Sequence, residues 1–177
     1  NARQDQGVAI DISPPKYLSV DQIIASAGQI LALDGITNPQ NLGMIIRSVA
    51  ASPMDGLLLP RKGCAKIDPL VHKASAGTLI KSSIYHCPTI ESGLKSLRSK
   101  GYQLIGLSGG VDRSLGDIGN ANEKIVFVLG NETTGISEPV LALCDELACI
   151  PLESGVESIN VAMAATLVAF RTTFNGT

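Results

Sequence analysis

Short runs of apolar residues alternate along this chain with segments that have the spacing of helices. Six runs predict buried strands, at residues 29–33, 56–59, 82–86, 103–107, 124–129 and 146–150. Most of these runs are apolar without interruption, a pattern typical of strands that are covered on both faces. The alternation of strand and helix therefore predicts an α/β fold, with a mostly parallel sheet flanked by helices.

The helices between these strands are predicted from apolar spacing and from start signals. One helix has apolar residues at i, i+3, i+4 and i+7, namely Leu42, Ile45, Ile46 and Val49. Further helices are expected at 68–74, 89–99 and 137–144, with a short one at 21–26. Gly43 lies near the start of the first helix, where a glycine lets the backbone approach a ligand closely.

The last helix, at 161–170, is unusual because Thr166 is its only polar residue. A helix that is apolar all round is normally buried. Its apolar stretch is too short to cross a bilayer, which takes about 20 residues. We therefore expect burial on two sides, against its own sheet on one side and another element or a second copy of the chain on the other.

Three polar or glycine-containing loops follow predicted strands, at 108–110, 130–135 and 153–160. Ligands of open α/β sheets bind at the carboxyl ends of strands, so these loops form the site if they meet in space. The loop at 130–135 begins like a phosphate-binding loop, but Ile136 stands where that motif requires lysine. No Gly-x-Gly-x-x-Gly follows the first strand, which disfavours a dinucleotide-binding fold.

The distribution of charge is more informative than the net charge of −2. Residues 47–100 contain nine Lys or Arg and three Asp or Glu, whereas residues 101–177 contain three and nine. This asymmetry fits a basic surface for a phosphate backbone, and equally fits charges that are simply solvated. The length of 177 residues suggests one main domain.

The four cysteines and two histidines do not show the spacing of metal ligands, so no metal site is expected. A reducing, cytoplasmic setting is the simpler interpretation of these cysteines. An organellar location stays open, because the chain begins at Asn1 and a targeting segment could have been removed.

Three separated segments together resemble one family. They are residues 38–50 (Asn-Pro-Gln-Asn-Leu-Gly-Met-Ile-Ile-Arg-Ser-Val-Ala), residues 127–136 (Phe-Val-Leu-Gly-Asn-Glu-Thr-Thr-Gly-Ile) and residues 150–161, from Ile-Pro-Leu to Ser-Ile-Asn-Val. In order and spacing they are similar to the three motifs of the SpoU (TrmH-type) RNA ribose 2'-O-methyltransferases, in the SPOUT superfamily. Gln-Gly-Val-Ala at 6–9 further resembles the junction that precedes the catalytic domain in many members.

This resemblance implies a domain organisation and a fold. Residues 1–28 would be a lead-in or linker remnant after an N-terminal RNA-binding domain, and residues 29–177 would be the catalytic domain. The C-terminal segment would thread a loop to make a trefoil knot, and two chains would form a homodimer. The knot does not follow from the periodicity of the sequence, whereas the apolar helix at 161–170 fits a dimer interface independently.

The resemblance also implies an activity. S-adenosylmethionine would donate a methyl group to a ribose 2'-hydroxyl of structured RNA, with ribosomal RNA favoured over tRNA and with no role for a metal or a membrane. The alternatives are a tRNA methyltransferase and a non-catalytic RNA-binding or ribosome-assembly factor that retains the knot. A generic nucleotide-binding module is disfavoured, because the chain lacks a complete phosphate-binding motif.

By the same resemblance, three residues would contact the cofactor mainly through their main chain: Gly130, Ile150 and Ile159. Four further candidates are Leu107, Ser108, Leu129 and Leu152. Core packing is the alternative role for each aliphatic residue. Gly130 fits a cofactor site physically, because a glycine allows close approach of the backbone.

Five polar residues are implied at the reacting groups. Arg47 matches the arginine of the first motif, and we expect it to orient a phosphate and stabilise developing alkoxide charge rather than act as a base. Asn41 would position the RNA or its own loop, and Glu132 would hold the motif loops or orient Arg47. Ser158 and Asn160 would contact the target nucleotide, although both also suit the cap of the following helix.

Overall fold

The computed structural model describes residues 17–23, 28–119 and 123–173. In this part of the chain there are seven strands: β1 (Leu18–Ser19), β2 (Gln29–Leu33), β3 (Gly56–Pro60), β4 (Ile84–Cys87), β5 (Gln103–Leu107), β6 (Ile125–Leu129) and β7 (Glu146–Ala148). They form one sheet in the order β1-β4-β3-β2-β6-β5-β7, and all six pairings are parallel.

The described helices are α1 (Pro39–Ala50), α2 (Pro69–Ala74), α3 (Ile90–Ser99), α4 (Glu138–Leu141) and α5 (Val161–Phe170). Short 3₁₀ turns occur at Val20–Gln22, Thr78–Lys81 and Leu115–Asp117. Side chains cap the longer helices, because the first backbone N–H groups of a helix lack partners within it. Asn38 Oδ1 accepts from the N–H of Gln40 at 2.8 Å, and Thr89 Oγ1 accepts from that of Ser92 at 3.3 Å.

The core consists of two apolar layers, one on each face of the sheet. Alternate residues of a strand point to opposite faces. Leu31 of β2 and Phe127 of β6 therefore lie in the layer that contains α1 and α5. Ile30 and Val126 lie in the layer that contains α3 and α4. Burial on both faces explains the uninterrupted apolar runs and confirms the predicted α/β fold with a parallel sheet.

Most strands lie where the sequence predicts them, and the differences are at their ends. β4 begins at Ile84 rather than at 82, and β7 ends at Ala148 rather than at 150. α4 ends at Leu141 rather than near 144. The two-residue β1 was missed, because so short a strand shows no period. The short helix expected at 21–26 is only the turn Val20–Gln22, and residues 24–27 lie outside the described part.

Gly43 has a packing role rather than the ligand role that its position suggested. A Cβ built at this residue would clash with Ala74 Cβ and with the Val71 carbonyl of α2. A side chain here would therefore force the two helices apart, so Gly43 allows α1 and α2 to pack closely.

The chain after β7 returns from the edge of the sheet to its middle. Cys149 N donates to the Arg113 carbonyl at 2.8 Å, and Leu115 N donates to the Cys149 carbonyl at 2.7 Å. The chain thus runs beside the connection between β5 and β6 before it reaches α5. There α5 packs on α1, and Ser48 Oγ lies 2.7 Å from Thr166 Oγ1. This path is consistent with the predicted trefoil knot, whose threading stays a prediction.

Within the described part of one chain, α5 is covered on only one side. Val161, Ala165 and Val168 are buried, but Met163 is 63% exposed and Leu167 is 48% exposed. No helix in the described part of the chain has the length and apolar character needed to cross a lipid bilayer.

Candidate active site

A cavity of ≈ 650 Å³ lies at the carboxyl ends of β5, β6 and β7. Its walls come from three segments, 107–110, 129–136 and 149–159, together with Val161 and Ala164 of α5. These segments contain the three loops that the sequence singled out after separate strands. Parallel strands end at the same edge of a sheet, and β6, β5 and β7 are neighbours, so the fold brings the loops together.

All seven residues proposed for the cofactor line this cavity. They are Leu107, Ser108, Leu129, Gly130, Ile150, Leu152 and Ile159. Glu132 and Ser158 line it as well. Three further residues of the wall were not among those proposed from the sequence: Cys149, Val156 and Glu157. Their only sequence signal is their position, since Val156 and Glu157 lie within the third motif and Cys149 directly precedes it.

The loop after β6 is a tight turn. Asn131 and Gly135 exchange two backbone hydrogen bonds, at 3.0 and 2.9 Å. Gly135 has φ 70°, a left-handed conformation that favours glycine. A Cβ at Gly130 would lie well inside 3.0 Å of the backbone of Gly135 and Ile136. Gly130 is therefore required by the turn itself, in addition to any approach of a ligand.

This turn is tied to the loop that leads into α1. Asn131 Nδ2 donates to the Gly35 carbonyl at 2.8 Å, and Ser137 N donates to Asp34 Oδ2 at 2.8 Å. Asp34 N in turn donates to the Leu129 carbonyl at 2.8 Å. These hydrogen bonds hold the second motif against the loop that leads into the first motif, at the edge of the sheet.

Three polar side chains, one from each motif, form a continuous hydrogen-bonded chain. Asn160 Nδ2 donates to Asn41 Oδ1 at 3.2 Å, and Asn41 Nδ2 donates to Glu132 Oε1. Asn41 is only 6% exposed, so both of its hydrogen bonds are shielded from water. Asn160 also caps α5, because its Oδ1 accepts from the N–H of Ala162 at 2.8 Å. Ser158 does not cap this helix and is exposed.

Arg47 lies apart from the cavity of its own chain. It is exposed on α1 and is absent from the described residues that line the cavity. The expectation that Glu132 orients Arg47 receives no support within one chain, because the described hydrogen bond of Glu132 is with Asn41.

The cavity wall carries negative but no positive side chains. Among the described residues that line it are Glu132 and Glu157, and there is no Lys, Arg or His. Such a wall suits a ligand with positive charge. No group of three His, Cys, Asp or Glu in the described part of the chain could hold a metal ion.

The four cysteines are free thiols and differ in their surroundings. Burial raises the pKa of Cys87 to about 11 and that of Cys144 to about 11. Burial also raises the pKa of Cys64. Cys149 is partly exposed in the cavity wall.

Comparison with known proteins decides the family. The SpoU rRNA Methylase family matches residues 28–170, which is most of the chain. The chain belongs to the SpoU rRNA methylase family. This confirms the resemblance drawn from the three motifs.

SpoU-family relatives of known sequence match most of this chain, but the chain spans about half of their length. It is 33% identical over 168 residues to a tRNA/rRNA methyltransferase of Mycobacterium ulcerans, covering 92% of this chain and 54% of that protein. It is 34% identical to one of Mycobacterium avium, with the same coverage.

Solved SpoU-family structures share the fold. AviRb of Streptomyces viridochromogenes, in complex with the cofactor AdoMet, has a TM-score of 0.76 and 28% identity, covering 89% of this chain and 62% of that one. An RNA methyltransferase of the TrmH family from Porphyromonas gingivalis has a TM-score of 0.72 and 29% identity, covering 89% and 61%.

Proposed function

We propose that this chain transfers a methyl group from S-adenosylmethionine to a ribose 2'-hydroxyl of structured RNA. Family membership over residues 28–170 supports methyl transfer to RNA. The observation that carries the proposal is one cavity lined by the second and third motifs, to which Asn41 of the first motif is joined by its hydrogen bonds with Asn160 and Glu132. The AdoMet complex of AviRb supports the choice of cofactor.

The cavity suits this cofactor. Its volume of ≈ 650 Å³ lies within the range of about 300–1,000 Å³ that is typical of small-molecule sites. Leu107, Leu129 and Ile150 offer apolar contacts for the adenine ring. The two carboxylates, Glu132 and Glu157, offer complementary charge to the ammonium and sulfonium groups.

The cofactor supplies a methyl group that is already activated on a sulfonium. In the reaction, the ribose 2'-oxygen bonds to the methyl carbon while the carbon–sulfur bond breaks. The electron pair of that bond stays on sulfur, and the 2'-hydroxyl proton passes to a water molecule of the solvent. The protein must hold the 2'-oxygen in line and stabilise its negative charge.

Arg47 is our candidate for this stabilisation. A guanidinium group is not deprotonated near neutral pH, so it serves poorly as a base. Its planar fork instead suits a bidentate contact with an RNA phosphate. Ser158 and Asn160 would position the target nucleotide.

A homodimer would bring Arg47 to a site. α1 and α5 pack against each other, and each exposes large apolar side chains: Met44 is 41% exposed, Met163 63% and Leu167 48%. Met44 and Arg47 are three residues apart on α1 and therefore project in similar directions. We propose that this surface joins two chains and that dimerisation completes a site to which Arg47 contributes.

Ribosomal RNA remains our favoured substrate over tRNA, in line with the family's description. The curated relatives are named for both RNAs. We also propose a cytoplasmic location, in keeping with the four free thiols.

Methyl transfer can be tested directly with S-adenosylmethionine labelled in its methyl group. The protein is incubated with ribosomal RNA, with tRNA and with DNA of matching sequence, which lacks the 2'-hydroxyl. We expect label in RNA alone, at a nucleotide whose 3' phosphodiester resists alkaline cleavage. Label on a base would contradict the ribose assignment. Binding of RNA and cofactor without transfer would favour a non-catalytic factor.

A further inference from the structure

A second cavity lies at the same edge of the sheet, on the other side of β2. It measures ≈ 820 Å³ and is found where β3 and β4 end, with residues 17–22 forming one wall. The segment 61–67 forms part of the opposite wall. Neither the methyl transfer nor the three motifs use these residues.

The walls of the two cavities are both hydrogen-bonded to the end of β2 and the loop that follows it. Ala65 N donates to the Ile36 carbonyl at 2.7 Å, and Cys64 Sγ donates to the Leu33 carbonyl at 3.6 Å. Asn131, in the wall of the first cavity, bonds to Gly35 of the same loop. A polymer bound along this edge could therefore contact both cavities.

The charges of the two cavities are opposite. Arg61 and Lys66 line the second cavity, with Asp21 as the one carboxylate among its described lining residues. Both basic side chains are exposed. This cavity suits an anion, whereas the wall of the first suits a cation.

His86 gives the second cavity a means to recognise a base. Both of its ring nitrogens are buried, and neither makes a regular hydrogen bond with a described residue. Burial lowers the pKa of His86, and the charge of Arg61 lowers it further. A weak contact with the Leu59 backbone opposes this shift but lacks regular hydrogen-bond geometry.

A neutral imidazole offers one donor and one acceptor, the combination found on the edge of a nucleobase. The ring of Tyr17 lies at 4.7 Å from that of His86, with an angle of 75° between the planes. The Tyr17 side chain is partly exposed, so a base could contact its ring. Buried polar groups in folded proteins usually have hydrogen-bond partners, and neither ring nitrogen of His86 has a regular one among the described residues, which favours a ligand as the partner.

We propose that the second cavity binds another nucleotide of the RNA, separate from the one that is methylated. Its base contacts Tyr17 and His86, and its phosphate contacts Arg61 and Lys66. The inference rests on the proposed function, since the ligand belongs to the same RNA. It assigns to these residues substrate binding and no part in the chemical step.

Three variants test this assignment: His86→Phe, Arg61→Ala and, as a control, Lys95→Ala. Lys95 is an exposed basic residue of α3 and does not line either cavity. We expect His86→Phe to raise the KM for RNA about tenfold, as loss of a base contact does. Its kcat at saturating RNA and its Kd for S-adenosylmethionine stay native.

His86→Phe also separates binding from structure. The substitution replaces two buried nitrogens that lack regular hydrogen bonds with carbon atoms. The midpoint of thermal unfolding of the RNA-free protein should therefore stay the same or rise. A merely structural histidine would give a lower midpoint with unchanged KM, which would overturn the inference.

Arg61→Ala should raise the KM for RNA and reduce the dependence of log Kd on log salt by about one. Lys95→Ala should change KM less than about twofold.

A native KM in both His86→Phe and Arg61→Ala overturns the inference while leaving the proposed methyl transfer intact. If the native chain transfers no methyl group, the proposed function fails, and the same variants are compared by equilibrium binding of the RNA. In that assay, native affinity in both variants, or no RNA binding by the native chain, overturns the inference.

Discussion

Asn160 Nδ2 lies 3.2 Å from Asn41 Oδ1, although 119 positions separate the two residues in the sequence. This contact joins the N-terminus of α5 to that of α1. Asn41 in turn donates a hydrogen bond to Glu132, which lies in the wall of the cavity. Asn41 must therefore donate and accept at the same time, which a carboxamide does and a carboxylate does not.

The substitution Asn41→Asp tests this double role. At neutral pH the new carboxylate would face Glu132 without a proton to donate. We expect the free energy of unfolding to fall by about 1–3 kcal/mol and methyl transfer to fall at least tenfold. Repulsion from Glu132 would raise the pKa of the new carboxyl group, so the defect should shrink as pH falls.

Chemical denaturation and initial rates between pH 5 and pH 8 measure both effects. Gln40→Glu is the matched control, since it introduces the same charge at the exposed neighbouring position. Equal losses in the two variants, or a defect independent of pH, would contradict the proposed hydrogen-bonded chain.

Arg47→Ala should abolish methyl transfer, with kcat at least about 100-fold lower, because an alanine cannot stabilise the developing alkoxide. The Kd for S-adenosylmethionine should change little, since Arg47 does not line the cavity of its own chain. Single-turnover kinetics measure the rate of methyl transfer, and calorimetric titration measures the Kd for S-adenosylmethionine. Arg47→Lys retains the charge without the planar fork and should be intermediate. Unchanged turnover in Arg47→Ala would remove Arg47 from its proposed role.

The central strands and the site loops could be predicted because each has a local signal. β2, β5 and β6 are short apolar runs, and the loops at their ends contain Gly or polar residues. The resemblance then placed seven cofactor candidates, all of which line one cavity. Their contact with the cofactor stays a prediction.

The remaining features depend on contacts between distant segments, which periodicity does not encode. Gly43 suited a close approach of the backbone to a ligand, and the structure shows a close approach of α1 to Ala74 of α2. Asn160 suited a cap or a functional contact, and the structure shows that it caps α5 and also bonds to Asn41. The second cavity gave no signal, because His86 and Arg61 are separate polar residues at the ends of two strands.

Gly130→Ala and Gly109→Ala form a matched pair in the wall of the same cavity. The first places a Cβ against the backbone of Gly135 and Ile136, whereas the second meets only the Glu157 carbonyl, at 3.8 Å. We expect Gly130→Ala to destabilise the protein by about 1–3 kcal/mol through overpacking and to weaken cofactor binding. Gly109→Ala should retain near-native stability. Thermal unfolding with and without S-adenosylmethionine distinguishes them, and equal behaviour would argue against the tight turn at Gly130.

Leu167→Glu tests the proposed homodimer. A charge in the middle of an apolar interface leaves an uncompensated buried group, so we expect dissociation to monomers and loss of methyl transfer. Ile80→Glu is the control, because Ile80 is 66% exposed and lies outside α1 and α5. Analytical ultracentrifugation gives the oligomeric state of each variant. A native chain that is monomeric at micromolar concentration, or a Leu167→Glu variant that remains dimeric, would contradict the proposed interface.

Alkylation of thiols can locate the cofactor without any substitution. Iodoacetamide reacts with the thiolate, and pKa values of about 11 keep Cys87 and Cys144 protonated at pH 8. Their labelling should therefore be slow at pH 8 and rise about tenfold for each pH unit up to their pKa.

Cys149 is partly exposed in the cavity wall, so we expect it to be labelled before Cys87 and Cys144 and to be protected by saturating S-adenosylmethionine. Mass spectrometry of the labelled peptides gives the rate at each site, with Cys64 as the internal reference outside this cavity. Equal labelling of Cys149 with and without bound cofactor would place the cofactor elsewhere.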